Sequence, residues 1–136
     1  MIVCDANALY ASYDKSEPQH KAVLAALTSA SREPKLLSPF VLAELDYFML
    51  TRLGTSAENA LLRDVEDGVY QLCPISTNDV TQARALINRY EALKIGIADA
   101  SIAVLAARHQ TTRILTFDAR YFRAITPLWG DAFTLL

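Results

Sequence analysis

Ile2-Val3-Cys4-Asp5-Ala6-Asn7-Ala8-Leu9 opens the chain with an apolar run, an acid, and then a turn to helical spacing. A short run with no polar member reads as a strand covered on both faces, and the acid marks its exit. The same grammar recurs downstream. Lys35-Leu36-Leu37 leads into Ser38-Pro39, a cap followed by proline at the first helical position. The helix it starts runs to about Leu53, is apolar on nearly every side, and is stopped by Gly54. Residues 69–73 and 113–117 read as further strands, 118–123 as a short helical turn, and 132–135 as a last strand. Between them, Pro18 predicts the opening of a second helix. Thr55 with Glu58 has the spacing of a capping box. Ser76 or Thr77 caps a helix to about Leu93, and Gly96 separates it from a helix over 98–109. Strands thus alternate with helices, and the strands are apolar throughout. That pattern predicts a three-layer α/β/α domain, a short parallel sheet covered by helices on both faces.

Composition narrows the function classes. The 136 residues suit one domain spanning 1–136, with no repeat, linker or low-complexity stretch. Hydrophobic residues at 52% allow a sizeable core, yet no run approaches a membrane span. The MIVCD start lacks a basic segment, which argues against a signal peptide and for the cytoplasm. Cys4 and Cys73 lie in apolar segments and read as buried free thiols, with no zinc spacing to His20 or His109. Thirteen Lys and Arg against fifteen Asp and Glu give a net charge of −2, which disfavours a protein that holds nucleic acid by bulk charge.

Eight acids (Asp14, Glu17, Glu33, Asp64, Glu66, Asp67, Asp79 and Glu91) read as solvated. Asp5, Glu44, Asp46, Asp99 and Asp118 are instead embedded in apolar sequence, where a carboxylate needs a partner or a metal. Asp5 and Asp118 follow strands, and strand exits of a parallel sheet line one ligand-binding edge. The alternative for each is a helix cap. Asp99 stands at the start of a buried helical stripe, where cap and function are equally open. Glu44 and Asp46 have equally apolar helical neighbours, so periodicity does not choose between them; one should point into a site and the other elsewhere. Convergent carboxylates repel one another unless a divalent cation joins them, and oxygen ligands favour Mg²⁺ or Mn²⁺.

Val3-Cys4-Asp5-Ala6-Asn7-Ala8-Leu9, Ser38-Pro39-Phe40-Val41-Leu42-Ala43-Glu44-Leu45, Ile97-Ala98-Asp99-Ala100 and Leu115-Thr116-Phe117-Asp118 together resemble the PIN-domain proteins. The match is close to the VapC toxins of bacterial VapBC toxin–antitoxin pairs and runs the length of the chain. The resemblance implies a Mg²⁺- or Mn²⁺-dependent endoribonuclease with Asp5, Glu44, Asp99 and Asp118 as its acidic quartet. Asp5 and Asp99 would be direct ligands of the principal ion. Glu44 and Asp118 would position waters or a second ion. Asn7 would be the supporting polar residue, where many relatives carry Ser or Thr, and Thr116 a hydroxyl bonded to a carboxylate or metal water. RNA, a tRNA or rRNA loop, would be cut by a metal-activated water to leave a 5′-phosphate and a 3′-hydroxyl. Asp5→Ala or Asp99→Asn would then abolish cleavage and leave the fold intact. The implied partners are a VapB-like antitoxin and a second copy of the chain, with no membrane.

Candidate RNA contacts are Lys94, Arg120, Arg123 and Arg52, though each reads more readily as an ordinary surface charge. Tyr10, Tyr13, Tyr47 and Tyr121 are candidate stacking residues, and Tyr10, Tyr13 and Phe48 candidate groove walls; core packing is the alternative. A competing class is a non-catalytic PIN-like module that binds RNA or protein. Phosphatase, receiver, dinucleotide-binding and P-loop readings fail for want of their motifs. With the quartet set aside, thirteen basic residues face eleven acids, so the acidity is local. Recognition should then rest on shape and a few placed contacts.

Overall fold

Val3 and Cys4 are completely buried and Ile2 nearly so, which places β1 (Ile2–Cys4) at the centre of the structure. A computed structural model describes residues 1–136. β1 pairs in parallel with β2 (Lys35–Leu37) on one side and β4 (Arg113–Leu115) on the other. Val3 stands opposite both Leu36 and Ile114. Two-residue strands β3 (Gln71–Leu72) and β5 (Thr134–Leu135) close the edges, giving the order β3-β2-β1-β4-β5 with every pair parallel. Such short edges offer little template for pairing with another chain.

Seven helices connect and cover the strands: α1 (Ala6–Tyr13), α2 (His20–Ser29), α3 (Pro39–Leu53), α4 (Thr55–Glu66), α5 (Thr77–Arg89), α6 (Ile97–Arg108) and α7 (Ala119–Ala124). The expected three-layer α/β/α class is the one observed. From β1 the chain steps outward to β2 and β3, then returns across the sheet to β4. The strand order therefore reverses between β1 and β4, and ligands bind at the carboxyl ends of strands at such a reversal. The core runs through Leu9, Leu37, Leu45, Met49, Ile102 and Leu115, all inaccessible or nearly so. Cys4 and Cys73 are buried free thiols, as expected, and burial pushes Cys4 up to about 12. No helix is long and apolar enough to cross a membrane.

Four local expectations need correction. Pro18 lies in a turn ahead of α2, which begins at His20 with no side-chain cap. Thr55 is the first residue of α4 and caps nothing; Gly54, at φ +96°, takes the cap position while its N–H still bonds back to Met49 and Leu50. The helix expected to reach Leu93 stops at Arg89, where Tyr90 leaves helical geometry (φ −112°, ψ 41°), and the 3-10 turn that follows (Glu91–Leu93) ends at Lys94 in a left-handed conformation. The reciprocal capping box belongs instead to Ser76 and Asp79. Asp79 is consequently not solvated: it is 6% exposed, bonded to the Ser76 N–H, and paired at 2.6 Å with Arg108, which also reaches the Pro74 carbonyl.

Candidate active site

The β4 strand ends at Leu115, two residues earlier than the apolar run suggests, because side chains take over its backbone donors. Asn7 Oδ1 accepts from the Phe117 N–H at 3.1 Å, and Thr116 Oγ1 accepts from the Asp118 N–H at 2.9 Å. Thr116 has one proton, and it goes to Asp5 Oδ2 at 2.7 Å. The other Asp5 oxygen accepts the Ala6 N–H at 2.7 Å, which opens α1. Asp5 is therefore gripped at both oxygens at the carboxyl end of the central strand. Its role as a cap and its place in a site coexist.

Asp118 stands at the cap position of α7 without a side-chain cap bond, and the cap position of α6 belongs to Gly96, not Asp99. Asp99 sits in the first turn of α6, whose next turn is anchored from below. Ser101 donates its only proton to the Ala98 carbonyl, so the buried 2.7 Å contact between Ser38 and Ser101 has Ser38 as donor. That bond ties the start of α3 to the start of α6. Glu44, one turn into α3, completes the group.

Asp5, Glu44, Asp99 and Asp118 line one open cavity of about 330 Å³ with Asn7, Phe48 and Tyr121. The structure therefore separates the two acids that periodicity left level. Glu44 reaches this cavity, whereas Asp46 faces Glu58 and Leu62 on another surface between α3 and α4. No lysine, arginine or histidine lines the acidic cavity. The consequence is a raised proton affinity at Asp5, Glu44 and Asp99. Burial pushes Asp5 up, against the pull of the Thr116 and Ala6 bonds, and the Asp118 charge adds to it. Burial and then the Asp5 charge push Glu44 up. Asp99 rises furthest, to about 7, first through burial and then through Asp5, Glu44 and Asp118.

The donor set is all oxygen and the charge uncompensated, which fits a hard divalent cation and not zinc. As the side chains stand, no three of the chain's His, Cys, Asp and Glu groups are close enough to share one ion. Asp5 is already tethered on both oxygens.

The candidate nucleic-acid contacts divide. The Arg52 guanidinium lies over Phe48 at 4.6 Å and Tyr10 at 5.2 Å, next to the acidic cavity. Arg120 lies over Tyr121 at 4.5 Å and bonds its hydroxyl, at the cavity's edge. Arg123 lines a different cavity with Phe133, and Lys94 none of those that adjoin the acids. Tyr13 is neither stacker nor wall. Its hydroxyl bonds Asp64 and Tyr70, tying α1 to α4 and to the segment after it. Tyr47 is 64% exposed and outside the site. Ser101 escaped sequence reading; a hydroxyl two residues after Asp99 on a buried stripe was its only signal.

Comparison with known proteins agrees with this fold. The PIN domain family matches residues 2–126. Ribonuclease VapC26 of Mycobacterium tuberculosis is 41% identical over 135 residues, 99% of both chains. Among solved structures, the sarcin-ricin-loop-cleaving toxin VapC20 of Mycobacterium tuberculosis superposes with a TM-score of 0.80 at 17% identity, covering 89% of this chain and 92% of that one. VapBC2 of Rickettsia felis, seen bound to a DNA fragment from its promoter, superposes with a TM-score of 0.71 at 21% identity over 100% and 99%.

Proposed function

The chain belongs to the PIN-domain family, and to the VapC ribonucleases within it; from that premise we propose that it is a metal-dependent endoribonuclease, the toxin of a type II toxin–antitoxin pair. The observation that carries this reading is the convergence of Asp5, Glu44, Asp99 and Asp118 on one cavity that no basic side chain lines. Asp5, Asp99 and Asp118 are read as the holders of Mg²⁺, or Mn²⁺ in its place, and Glu44 as a catalytic carboxylate beside them. A divalent ion bound there supplies Lewis-acid polarisation of a phosphodiester and a water of lowered pKa.

The chain's own residues supply position and proton affinity. Thr116 and the Ala6 N–H fix the Asp5 carboxylate, so it needs no reorganisation when substrate arrives. Asn7 pins the Phe117 backbone and thereby the approach of Asp118. Glu44 is exposed on α3, with its proton affinity raised, and is suited to accept a proton from an attacking water. Structured RNA such as a tRNA or rRNA loop is the proposed substrate. The exposed Tyr47, Leu50, Leu53 and Leu62 of α3 and α4 form an apolar surface that fits a protein partner, which supports an antitoxin and a second copy of the chain as its occupants in the cytoplasm.

The test incubates purified protein with cellular RNA and Mg²⁺ and maps new 5′-phosphate ends. New ends that vanish on chelation and in Asp99→Asn are expected. Undiminished cleavage by Asp99→Asn would sink the site. RNA or protein binding with no cleavage at all would favour a non-catalytic PIN module.

A further inference from the structure

A second cavity of about 320 Å³ adjoins the acidic one and shares Asn7 and Phe48 with it. Its aromatic walls are Tyr10, Phe48 and Phe117, and its polar groups are Glu17, Gln19 and Arg52. The mechanism above uses none of these polar groups. We propose that this cavity holds a guanine base of the RNA next to the phosphodiester being cut, with Glu17 reading its Watson–Crick edge. The proposal rests on the ribonuclease reading and names a specificity site within it.

The chemistry of the lining selects both the class of ligand and the base. Sequence-specific RNA recognition works on unstacked bases, held against aromatic rings or guanidinium planes and read on their edges. Arg52 is exposed and lines this cavity, with its guanidinium held over the rings of Phe48 and Tyr10. The chain's ion pairs are Met1–Glu33, Arg108–Asp79 and Arg113–Glu33, so neither Glu17 nor Arg52 is spent on one. A carboxylate has two acceptor oxygens and no donor. Only guanine presents two adjacent donors on its Watson–Crick edge, N1–H and the N2 amino group. Its O6 acceptor then suits the N–H groups of Arg52 or the Gln19 amide. Adenine and cytosine offer one donor group beside an acceptor, and uracil one donor between two acceptors. Each leaves a Glu17 oxygen facing an acceptor.

The loop that carries Glu17 is also built. Asp14 Oδ1 accepts from the Ser16 N–H and hydroxyl, Asp14 Oδ2 accepts from the Tyr10 hydroxyl at 2.6 Å, and the Asp14 carbonyl accepts the Glu17 N–H. These bonds hold the backbone at Glu17, which lines the cavity, without involving its carboxylate.

Short RNAs identical except for guanine, inosine or adenine beside an established cut site test the idea. Wild-type protein is expected to prefer guanine over adenine by roughly tenfold or more, with inosine between, because a two-point edge contact discriminates by about that much. Glu17→Gln should bring the three within about twofold while still cutting the adenine RNA. Independently of cleavage, guanosine and not adenosine should shift the amide resonances of Phe48, Arg52 and Phe117 in wild-type protein, and neither should do so in Glu17→Gln. Cleavage without base preference, or preference kept in Glu17→Gln, overturns the pocket and leaves the ribonuclease reading standing. Guanosine shifts without any RNA cleavage would do the reverse. Loss of antitoxin affinity in Glu17→Gln with base preference intact would assign the cavity to a protein partner and also overturn the proposal.

Discussion

Asp99→Asn should stabilise the metal-free protein above pH 7 while removing its activity. Asp99 is pushed up to about 7 from an ordinary 3.8, first by burial and then by the three carboxylates around it. The folded chain holds this proton and the unfolded chain releases it near 3.8. Stability therefore falls as the pH climbs from about 4 through about 7. On a full count the ionised carboxylate costs about 4 kcal/mol at pH 8, at about 1.4 kcal/mol per tenfold. Its cavity is open to solvent, and screening lowers the figure to about 1–2 kcal/mol. Asn keeps the shape and removes the charge, so it should recover that amount at pH 8, about a third of it at pH 5, and almost nothing below pH 4. Thermal unfolding in chelator should show a rise of roughly 3–8 °C at pH 8 for a chain of this size. Added Mg²⁺ should raise the wild-type midpoint at pH 8 and do much less for Asp99→Asn, because the ion stabilises only a fold that binds it. A variant less stable than wild type at pH 8, or one that gains equally at pH 5, would refute the reasoning, since both outcomes deny that the penalty is a charge.

Glu44→Gln should lower RNA cleavage at least 100-fold, on the scale typical of a proton-transfer group, whereas Asp46→Asn should stay within about twofold in the same gel assay; equal effects would undo the separation of these two acids. Arg108→Met leaves Asp79 buried with only the Ser76 N–H and should cost about 2 kcal/mol in urea unfolding. The Asp79 carboxyl is held below its ordinary 3.8, first by the Ser76 N–H, so the stability it contributes is present above that pH and fades as the pH falls through the depressed value. The Arg108→Met deficit should therefore shrink in acid, and a deficit that persists at pH 2 would contradict the ion-pair account. Thr116→Val removes the proton given to Asp5 and the acceptor for Asp118, and should cost about 1–2 kcal/mol in stability together with a drop in cleavage; unchanged denaturant midpoints would show that Thr116 does not brace the site.

The sheet was legible because β1 is apolar throughout and β2 and β4 each carry two fully buried apolar residues, their one charged residue, Lys35 or Arg113, standing at the strand's first position. The ends of elements were harder to read. The run from 113 to 117 looks like one strand, but Asn7 and Thr116 intercept the backbone donors of Phe117 and Asp118. That interception depends on a residue 110 positions away, which local pattern does not see. Asp79 was misread for a related reason: its polar sequence neighbours hide a partner on α6, 29 residues on. Glu44 and Asp46 were undecided because both flank the same apolar stripe. The choice falls to what α3 packs against, α1 and α6 on one side and α4 on the other. The side toward α1 and α6 is the one that carries Asp5 and Asp99.

Asp5 shows why a choice between cap and ligand was the wrong question for an acid at a strand exit. The carboxylate opens α1 with one oxygen and is held by Thr116 with the other, so the same geometry that satisfies the helix also fixes the carboxylate at the cavity wall. Rigidity of this kind is what a charged site needs, since a carboxylate free to swing would turn away from Asp99 and Asp118 before any cation arrived. The arrangement also makes Asp5 a poor choice for a clean knockout. Asp5→Ala strips a helix-start bond, worth about 1 kcal/mol, and orphans the Thr116 hydroxyl, while relieving the repulsion that raises Asp99. Its effect on stability is a sum of opposed terms, so the expectation that it leaves the fold untouched does not carry over from sequence. Asp99 has a lighter structural duty: the cap position of α6 belongs to Gly96, and Asn keeps an oxygen that accepts the Gly96 N–H while removing the charge. Loss of cleavage in Asp99→Asn therefore reports on chemistry, whereas the same loss in Asp5→Ala mixes chemistry with the opening of α1.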